Sequence, residues 1–329
     1  MKLHFFAIAI LIFALSACQD DPGTTTAPPP AQKEEVVIPK FERDSAYAHI
    51  EQQLSFGPRV PNTDAHQACK DWLVQKFESY GAKVIPQQFT TKAFDGTVLN
   101  GTNVIAQYNP EATKRILLAA HWDTRPFADS PISEERKDEP IPGADDGASG
   151  VAVLLEVARL LNQTPVDIGV DLVLFDVEDY GESGTPDSYA LGAQYWSRNP
   201  HVSGPKKPKY GILLDMVGSK NARFPKEYYS NQYAPRLLNK VWKRAQKMGY
   251  SNYFVDAQEG GIADDHYYVN TIAKIPMIDI INRQPGTQTG FGEYWHTHDD
   301  DISVIDKRTL RAVGKVVMEV IYGENSGGF

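Results

Sequence analysis

Gly169-Val170-Asp171-Leu172-Val173-Leu174-Phe175 is an apolar, β-branched run, and it passes directly into Asp176-Val177-Glu178-Asp179-Tyr180-Gly181. A run of this length and composition reads as a buried parallel strand. Two or three carboxylates therefore leave its C-terminal end together, which in open α/β sheets is where ligands sit. Acids packed side by side repel, and their burial is costly unless a cation shares the site or one of them keeps its proton. The stretch asks for a metal, a raised carboxyl pKa, or both; standing alone it is also compatible with an acidic turn in water.

The 329 residues, 42% of them hydrophobic, suffice to bury a full core. A net charge of -9 and a pI near 5.4 exclude nucleic acid as the expected partner, because phosphate binding needs a basic face. The compact basic run Lys206-Lys207-Pro208-Lys209 reads as a solvated loop. Met1 to Ala17 carries Lys2 and an unbroken apolar run from Phe5 to Leu15, too short for a membrane span and typical of a signal sequence. Its ending, Leu15-Ser16-Ala17-Cys18, resembles the lipobox of bacterial lipoproteins, which implies cleavage before Cys18 and lipid on that residue. The resulting expectation is a chain anchored to a membrane of the bacterial cell envelope, facing the periplasm or the cell surface; an ordinary secretory signal is the plainer alternative. Residues 18–40 have almost nothing to bury and read as a disordered tether, long enough to reach about 60 to 70 Å if extended. One folded domain, residues 41–329, is expected after it. Cys69, in a helical pattern, is expected to be a small buried thiol.

Phe41 to Phe56 and Asn62 to Tyr80 have helical periodicity, and Gly81 is a credible stop. Lys83 to Phe94 and Val98 to Tyr108 flank Asp95-Gly96, a strong hairpin signal, and should form an antiparallel edge. The apolar strand from Arg115 ends on His121-Trp122-Asp123. Pro142-Gly143-Ala144-Asp145-Asp146-Gly147-Ala148-Ser149-Gly150 opens an amphipathic helix; Asp146 serves either as an N-cap or as a ligand, and the small residues around it suit close backbone approach. A short helix is expected near Leu191 to Trp196, a strand from Tyr210 ending on Asp215, and a helix from Tyr233 to Met248. Gly260 to His266 leads into another short helix, Ile275 to Ile281 is a strand, and Tyr294 to Asp301 enters a last helix from Asp306 to Tyr322.

The alternation of strand and helix predicts a three-layer α/β sandwich with a mixed, mostly parallel central sheet. His121, Asp123, Asp146, Glu178, Asp179, Asp215, Asp264, Asp265 and His296 then fall at strand ends or helix starts, along one rim. Any one of them alone is more simply a satisfied core or capping residue. Together, nitrogen and carboxylate donors without thiolates fit catalytic Zn²⁺, which takes three protein ligands and keeps one position open. A neighbouring carboxylate that is not a ligand, as Glu178 is beside Asp179, suits a general base and acid.

These motifs, with Leu213-Leu214-Asp215-Met216-Val217-Gly218, Phe224-Pro225, Asp264-Asp265-His266 and Trp295-His296-Thr297, resemble the animal-type glutaminyl cyclases (glutaminyl-peptide cyclotransferases). The resemblance extends from about Phe41 to Tyr322 and, more distantly, to the zinc aminopeptidases of the same fold. It implies one Zn²⁺ held by Asp146, Asp179 and His296, Glu178 as acid and base, and Asp215 and Asp264 as a proton-sharing pair that orients substrate and leaving ammonia. It also implies Trp295 and Phe291 as walls of the substrate pocket, peptides or proteins with N-terminal glutamine as substrates, and ring closure to pyroglutamate. The chain departs from that family in Asp179, where animal enzymes have glutamate, in Asp279, where they have histidine, and in lacking both a cysteine pair and a pocket tryptophan after Asp179. These differences bear on pocket shape more than on chemistry. The main rival is a two-zinc aminopeptidase that adds a second ion on His121, Asp146 and Asp215, with Asp123 close by; a third is a lipoprotein that kept the fold only as a binding module. The sequence contains no Gly-x-Ser-x-Gly elbow, no Gly-Lys-Ser/Thr phosphate loop and no Gly-x-Gly-x-x-Gly after a strand.

Overall fold

The computed structural model describes residues 37–329, so Cys18 and the expected signal segment lie outside the described residues. Helices α1 (Arg43–Leu54) and α2 (Asp64–Ser79) precede the hairpin of β1 (Lys83–Lys92) and β2 (Val98–Tyr108). Then come β3 (Arg115–His121), α3 (Ala148–Gln163), β4 (Gly169–Phe175), α4 (Leu191–Arg198) and β5 (Gly211–Asp215). The remainder is β6 (Phe224–Lys226), α5 (Tyr228–Tyr233), α6 (Pro235–Lys247), β7 (Phe254–Gln258), α7 (Asp265–Tyr268), β8 (Met277–Ile281) and α8 (Lys307–Asn325).

Six strands form the central sheet in the order β1-β2-β4-β3-β5-β8. β1, β2 and β4 pair antiparallel, while β4, β3, β5 and β8 run parallel. The hairpin turn is closed by Asp95, whose carboxylate accepts from Thr97 N at 2.8 Å, and by Gly96 at φ +88°. Because successive strand residues point to opposite faces, Ile116, Leu118 and Ala120 pack with α1, α3 and α8, whereas Leu117 and Ala119 pack with Trp196 of α4 and Tyr268 of α7. The sheet is thus buried on both sides, as a parallel sheet requires, and the expected three-layer sandwich is what forms. Cys69 is buried and unpaired, and Ile38, assigned to the tether from sequence, is partly buried against the core.

Some elements escaped the sequence pattern. β6 and β7 make a separate two-stranded sheet, and a three-residue strand containing Pro225 is too short to show a period. The helix expected to begin at Tyr233 is broken at Ala234; α5 ends there, and α6 starts on Pro235, which suits a first helical turn because it has no N–H to satisfy. Asp146 does not cap α3, since Gly147 occupies that position without a side-chain cap.

Asp171, the charged residue inside β4, sits away from the strand's functional end. Its carboxylate meets Arg115 Nη1 at 2.6 Å and Gln107 Nε2 at 3.1 Å, and the Arg115 and Asp171 side chains are fully buried. Removing one partner of such a pair leaves a buried charge uncompensated. Asp171→Leu is therefore expected to lower unfolding free energy by about 3–5 kcal/mol, read from urea denaturation midpoints.

Candidate metal centre and active site

The C-terminal ends of the parallel strands bring the candidate acids together. His121 is the last residue of β3, Asp215 the last of β5, and Glu178 and Asp179 follow β4. Asp264 is the N-cap of α7, and its carboxylate accepts from Asp265 N. With Asp146 and His296, the acids Glu178, Asp179, Asp215 and Asp264 line a cavity of about 310 Å³. Trp295 and Phe291 form part of its wall, stacked with ring centroids 4.8 Å apart, and Trp295 stacks in turn on His296 at 3.6 Å.

Two donor sets share Asp146. In the first, His296 Nε2 lies 3.3 Å from Asp179 Oδ1 and 3.7 Å from Asp146 Oδ2. In the second, His121 Nε2 lies 3.0 Å from Asp146 Oδ1 and 3.3 Å from Asp215 Oδ1. Within each set the donor atoms lie within 4.8 Å of one another. Asp179 Oδ2 is buried without a hydrogen-bond partner, which is the condition in which a carboxylate seeks a cation. Asp146, Asp179 and His296 supply one imidazole and two carboxylates, a set that balances a divalent ion and matches an open four-coordinate site.

Of the expected residues, Asp123 is not placed as a ligand. It accepts from the backbone N–H groups of Glu178 and Asp179 at 3.1 Å each, so it fixes the turn that carries both. Asp176, expected to join the acidic group, turns away from it: its carboxylate bonds His66 Nε2 at 2.8 Å and accepts from Thr102 and Val177 N. The strand therefore delivers two acids to the cavity. The separation comes from Val177, whose backbone is left-handed at φ 55° while its side chain is buried with Phe89, Ala93 and Leu99. A β-branched residue there is an outlier held by its packing. Met216 and His296, at φ 47° and 54°, adopt the same conformation beside the site.

The Asp146 loop is held rigidly. Arg59 donates to Pro142 O at 2.5 Å and Gly143 O at 2.7 Å, and Asp300 accepts from the N–H groups of Asp145 and Asp146 at 2.8 and 3.1 Å. Asp145, in turn, accepts from Gly218 N at 2.7 Å and from the Tyr294 hydroxyl. A Cβ at Gly147 would come within 2.6 Å of the His121 ring, which is why glycine stands there. Around His296, Asp129 bonds Nδ1 at 3.2 Å, and Arg125 clamps Asp129 while donating to the carbonyls of Asp179 and Gly181 at 2.7 Å each. Sequence reasoning missed Arg59, Arg125 and Asp129, because their roles depend on contacts distant in the chain. Asp300 was visible only as one of three consecutive acids. Tyr189 lines the cavity and packs where a side chain at Gly181 would lie.

The electrostatics follow from burial. Burial pushes Glu178 well above the usual carboxylate range; His121 opposes that rise, and Asp179, Asp264 and Asp265 add to it. Asp215 is pushed up to about 8, chiefly by burial, with Asp264 and Asp146 contributing against His121. Burial raises Asp264 as well, and Asp279, whose carboxylate lies with that of Asp264 and the His266 ring in one group of donor atoms within 4.8 Å, is raised well above the usual range by burial and by Asp264 and Asp215. For His296, burial favours the neutral ring, but Asp179, Asp129 and Asp146 outweigh it and hold the pKa near 9. The acids thus favour a cation at Nε2, and a metal there displaces the proton.

A family model for peptidase family M28 matches residues 103–321. This chain belongs to that family. Within it, the chain is 50% identical to the glutaminyl cyclase of Bacteroides thetaiotaomicron, solved bound to N-acetylhistamine; the superposition has a TM-score of 0.84 and covers 87% of this chain and 99% of that one. Aminopeptidase YwaD of Bacillus subtilis is 26% identical over 275 residues, 82% of this chain and 54% of that protein. The glutaminyl-peptide cyclotransferase of Bos taurus is 24% identical over 243 residues, 66% of this chain and 64% of that protein. The chain accordingly spans about half to two thirds of the length of these two curated relatives.

A second-layer carboxylate orients a ligating histidine and raises its basicity. Asp129→Ala is expected to weaken metal affinity about 10- to 100-fold, measured by competition with a chromogenic chelator, with the fold retained by circular dichroism.

Proposed function

We propose that this chain is a zinc-dependent glutaminyl-peptide cyclotransferase, converting the N-terminal glutamine of peptides or proteins to pyroglutamate with release of ammonia. The observation that carries the proposal is Glu178: it follows β4 immediately before Asp179, is fixed by Asp123, and faces the cavity shared by Asp146, His296 and Trp295. The 50% identity to a bacterial glutaminyl cyclase supports the same reading.

Asp146, Asp179 and His296 would hold one Zn²⁺, which when bound polarises the side-chain amide carbonyl of the substrate. The reaction joins the α-amine nitrogen to the side-chain amide carbon and breaks the bond from that carbon to the amide nitrogen. Glu178 takes the proton lost by the attacking amine and returns it to the departing nitrogen, which leaves as ammonia. A raised carboxyl pKa suits this shuttling, since the group must accept and then give up the proton. Asp215 and Asp264, which line the same cavity, would hydrogen-bond the amine and the leaving amide. Trp295 and Phe291, which line the same cavity, would supply apolar surface beside which glutamine folds back on itself, bringing its two reacting groups together.

The second donor set, His121, Asp146 and Asp215, supports a two-zinc aminopeptidase as the alternative, with Glu178 activating water. Leucyl arylamide substrates discriminate: release of arylamine favours the peptidase. For the cyclotransferase, Glu178→Gln is expected to keep fold and zinc but lose at least ~100-fold in kcat, the scale of a general acid and base, as measured by mass spectrometry of a glutaminyl peptide losing ammonia. Near-normal turnover in that variant would remove Glu178 from the mechanism.

We further propose that lipid on Cys18 anchors the chain to a membrane of the bacterial cell envelope. The lipobox-like Leu15-Ser16-Ala17-Cys18 supports this, and no helix among the described residues is long and apolar enough to cross a membrane. Cys18→Ala is expected to move the protein from the membrane pellet to the soluble fraction on cell fractionation.

A further inference from the structure

Among the described residues lining the cavity, Arg283 is the one lysine or arginine. Its position is set by the chain around it. Arg283 N donates to Arg223 O at 2.9 Å, and Gln284 N donates to Gly290 O at 2.9 Å, so the loop after β8 folds back on itself. The guanidinium is stacked 4.2 Å from the Phe291 ring centroid. Nη2 also lies against Gly290, where an added Cβ would come within 2.6 Å.

What this guanidinium lacks is an acceptor. Arg59, Arg115 and Arg125 each donate through Nη atoms to carbonyl or carboxylate oxygens; Arg283 makes no side-chain hydrogen bond among the described residues, and its Nε, like that of Arg115, is buried without a partner. Burial lowers its pKa, although not to a range where a guanidinium gives up its proton, and Glu259, Glu227 and Asp279 oppose that shift. Arg283 also ends a stacked row: guanidinium on Phe291, Phe291 on Trp295, and Trp295 on His296. A glutamine whose side chain reaches the donor atoms of Asp146, Asp179 and His296 would leave its peptide carbonyl and second residue free to extend past the edges of this row toward Arg283, which lines the same cavity.

Resting on the cyclotransferase reading above, we propose that Arg283 determines specificity by binding a carboxylate just beyond the N-terminal glutamine. Two sources supply that chemistry, an acidic side chain at the second residue or the free C-terminal carboxylate of a very short peptide. A guanidinium presents a planar fork of donors that matches a carboxylate. Away from the zinc ligands the wall carries the acids Glu178, Asp215 and Asp264, so Arg283 is the protein group there that attracts a negative substrate group.

The test compares kcat/KM of the zinc-loaded full chain on Gln-Ala-Ala-amide, Gln-Glu-Ala-amide, Gln-Ala-amide and Gln-Ala with a free carboxylate. Wild type is expected to favour at least one carboxylate-bearing peptide over its neutral partner by about tenfold, mainly through KM, as one charge-assisted contact at a half-buried site allows. Preference for Gln-Glu-Ala-amide assigns the side chain; preference for Gln-Ala assigns the terminus. In Arg283→Met the ratio is expected to fall to about one, while Arg283→Lys keeps part of it. A merely structural role would scale charged and neutral substrates alike and leave the ratio unmoved. A wild-type ratio near one, or a ratio retained in Arg283→Met, would overturn the proposal, and the wild-type ratio decides even if the variant does not fold. Failure to cyclise any of the peptides, the neutral amides included, would instead remove the underlying cyclotransferase reading.

Discussion

The structure turns on the repulsion among carboxylates gathered at one rim of a buried sheet. Asp146, Asp179, Asp215 and Asp264 are all nearly inaccessible to solvent, and as bare anions they would oppose folding strongly. Three devices keep them there. His121 and His296 stand between pairs of them, Asp179, Asp215 and Asp264 are shifted toward holding a proton, and their donor atoms cluster closely enough to hold a metal ion. The same features that make the arrangement costly make it chemically useful, since a group poised to gain or lose a proton is what acid and base catalysis needs.

Holding such a site demands a stiff frame. The Asp146 loop is tied by Arg59 and Asp300, the Glu178 turn by Asp123, and the His296 ring by Asp129 and Arg125. Left-handed backbone at Val177, Met216 and His296 concentrates strain around the cavity. Buried packing supports it, as at Val177, which is enclosed by Phe89, Ala93 and Leu99. Unlike Arg59, Arg115 and Arg125, whose Nη atoms find oxygens, Arg283 has no side-chain acceptor among the described residues.

Much of this was legible in the sequence. The apolar run of β4 and the alternation of strands with helices were enough for the three-layer sandwich, because burial on both faces of a parallel sheet writes itself as continuous hydrophobic stretches. His121, Asp146, Glu178, Asp179, Asp215, Asp264 and His296 were legible because each follows a strand or opens a helix, and chain direction alone puts them on one rim. Side-chain direction was not legible. Asp176 stands two residues from Glu178 yet faces His66, since the intervening Val177 reverses the backbone, and a two-residue spacing says nothing of that reversal. The supporting contacts were hidden for a different reason: Arg59 to Gly143 and Asp129 to His296 join residues 84 and 167 positions apart. β6 was missed because three residues with a central proline carry no period, and β7 because it is exposed from Asp256 to Gln258 and shows no apolar run.

The central claim is that one divalent ion is gripped by Asp146, Asp179 and His296 beside Glu178. Zinc content by plasma mass spectrometry, on protein loaded with zinc and then passed through a desalting column, tests it most directly. The account predicts about one zinc per chain, lost in His296→Ala and kept in His121→Ala. A wild-type chain that retains none, or a His296→Ala variant that retains the full amount, would contradict it.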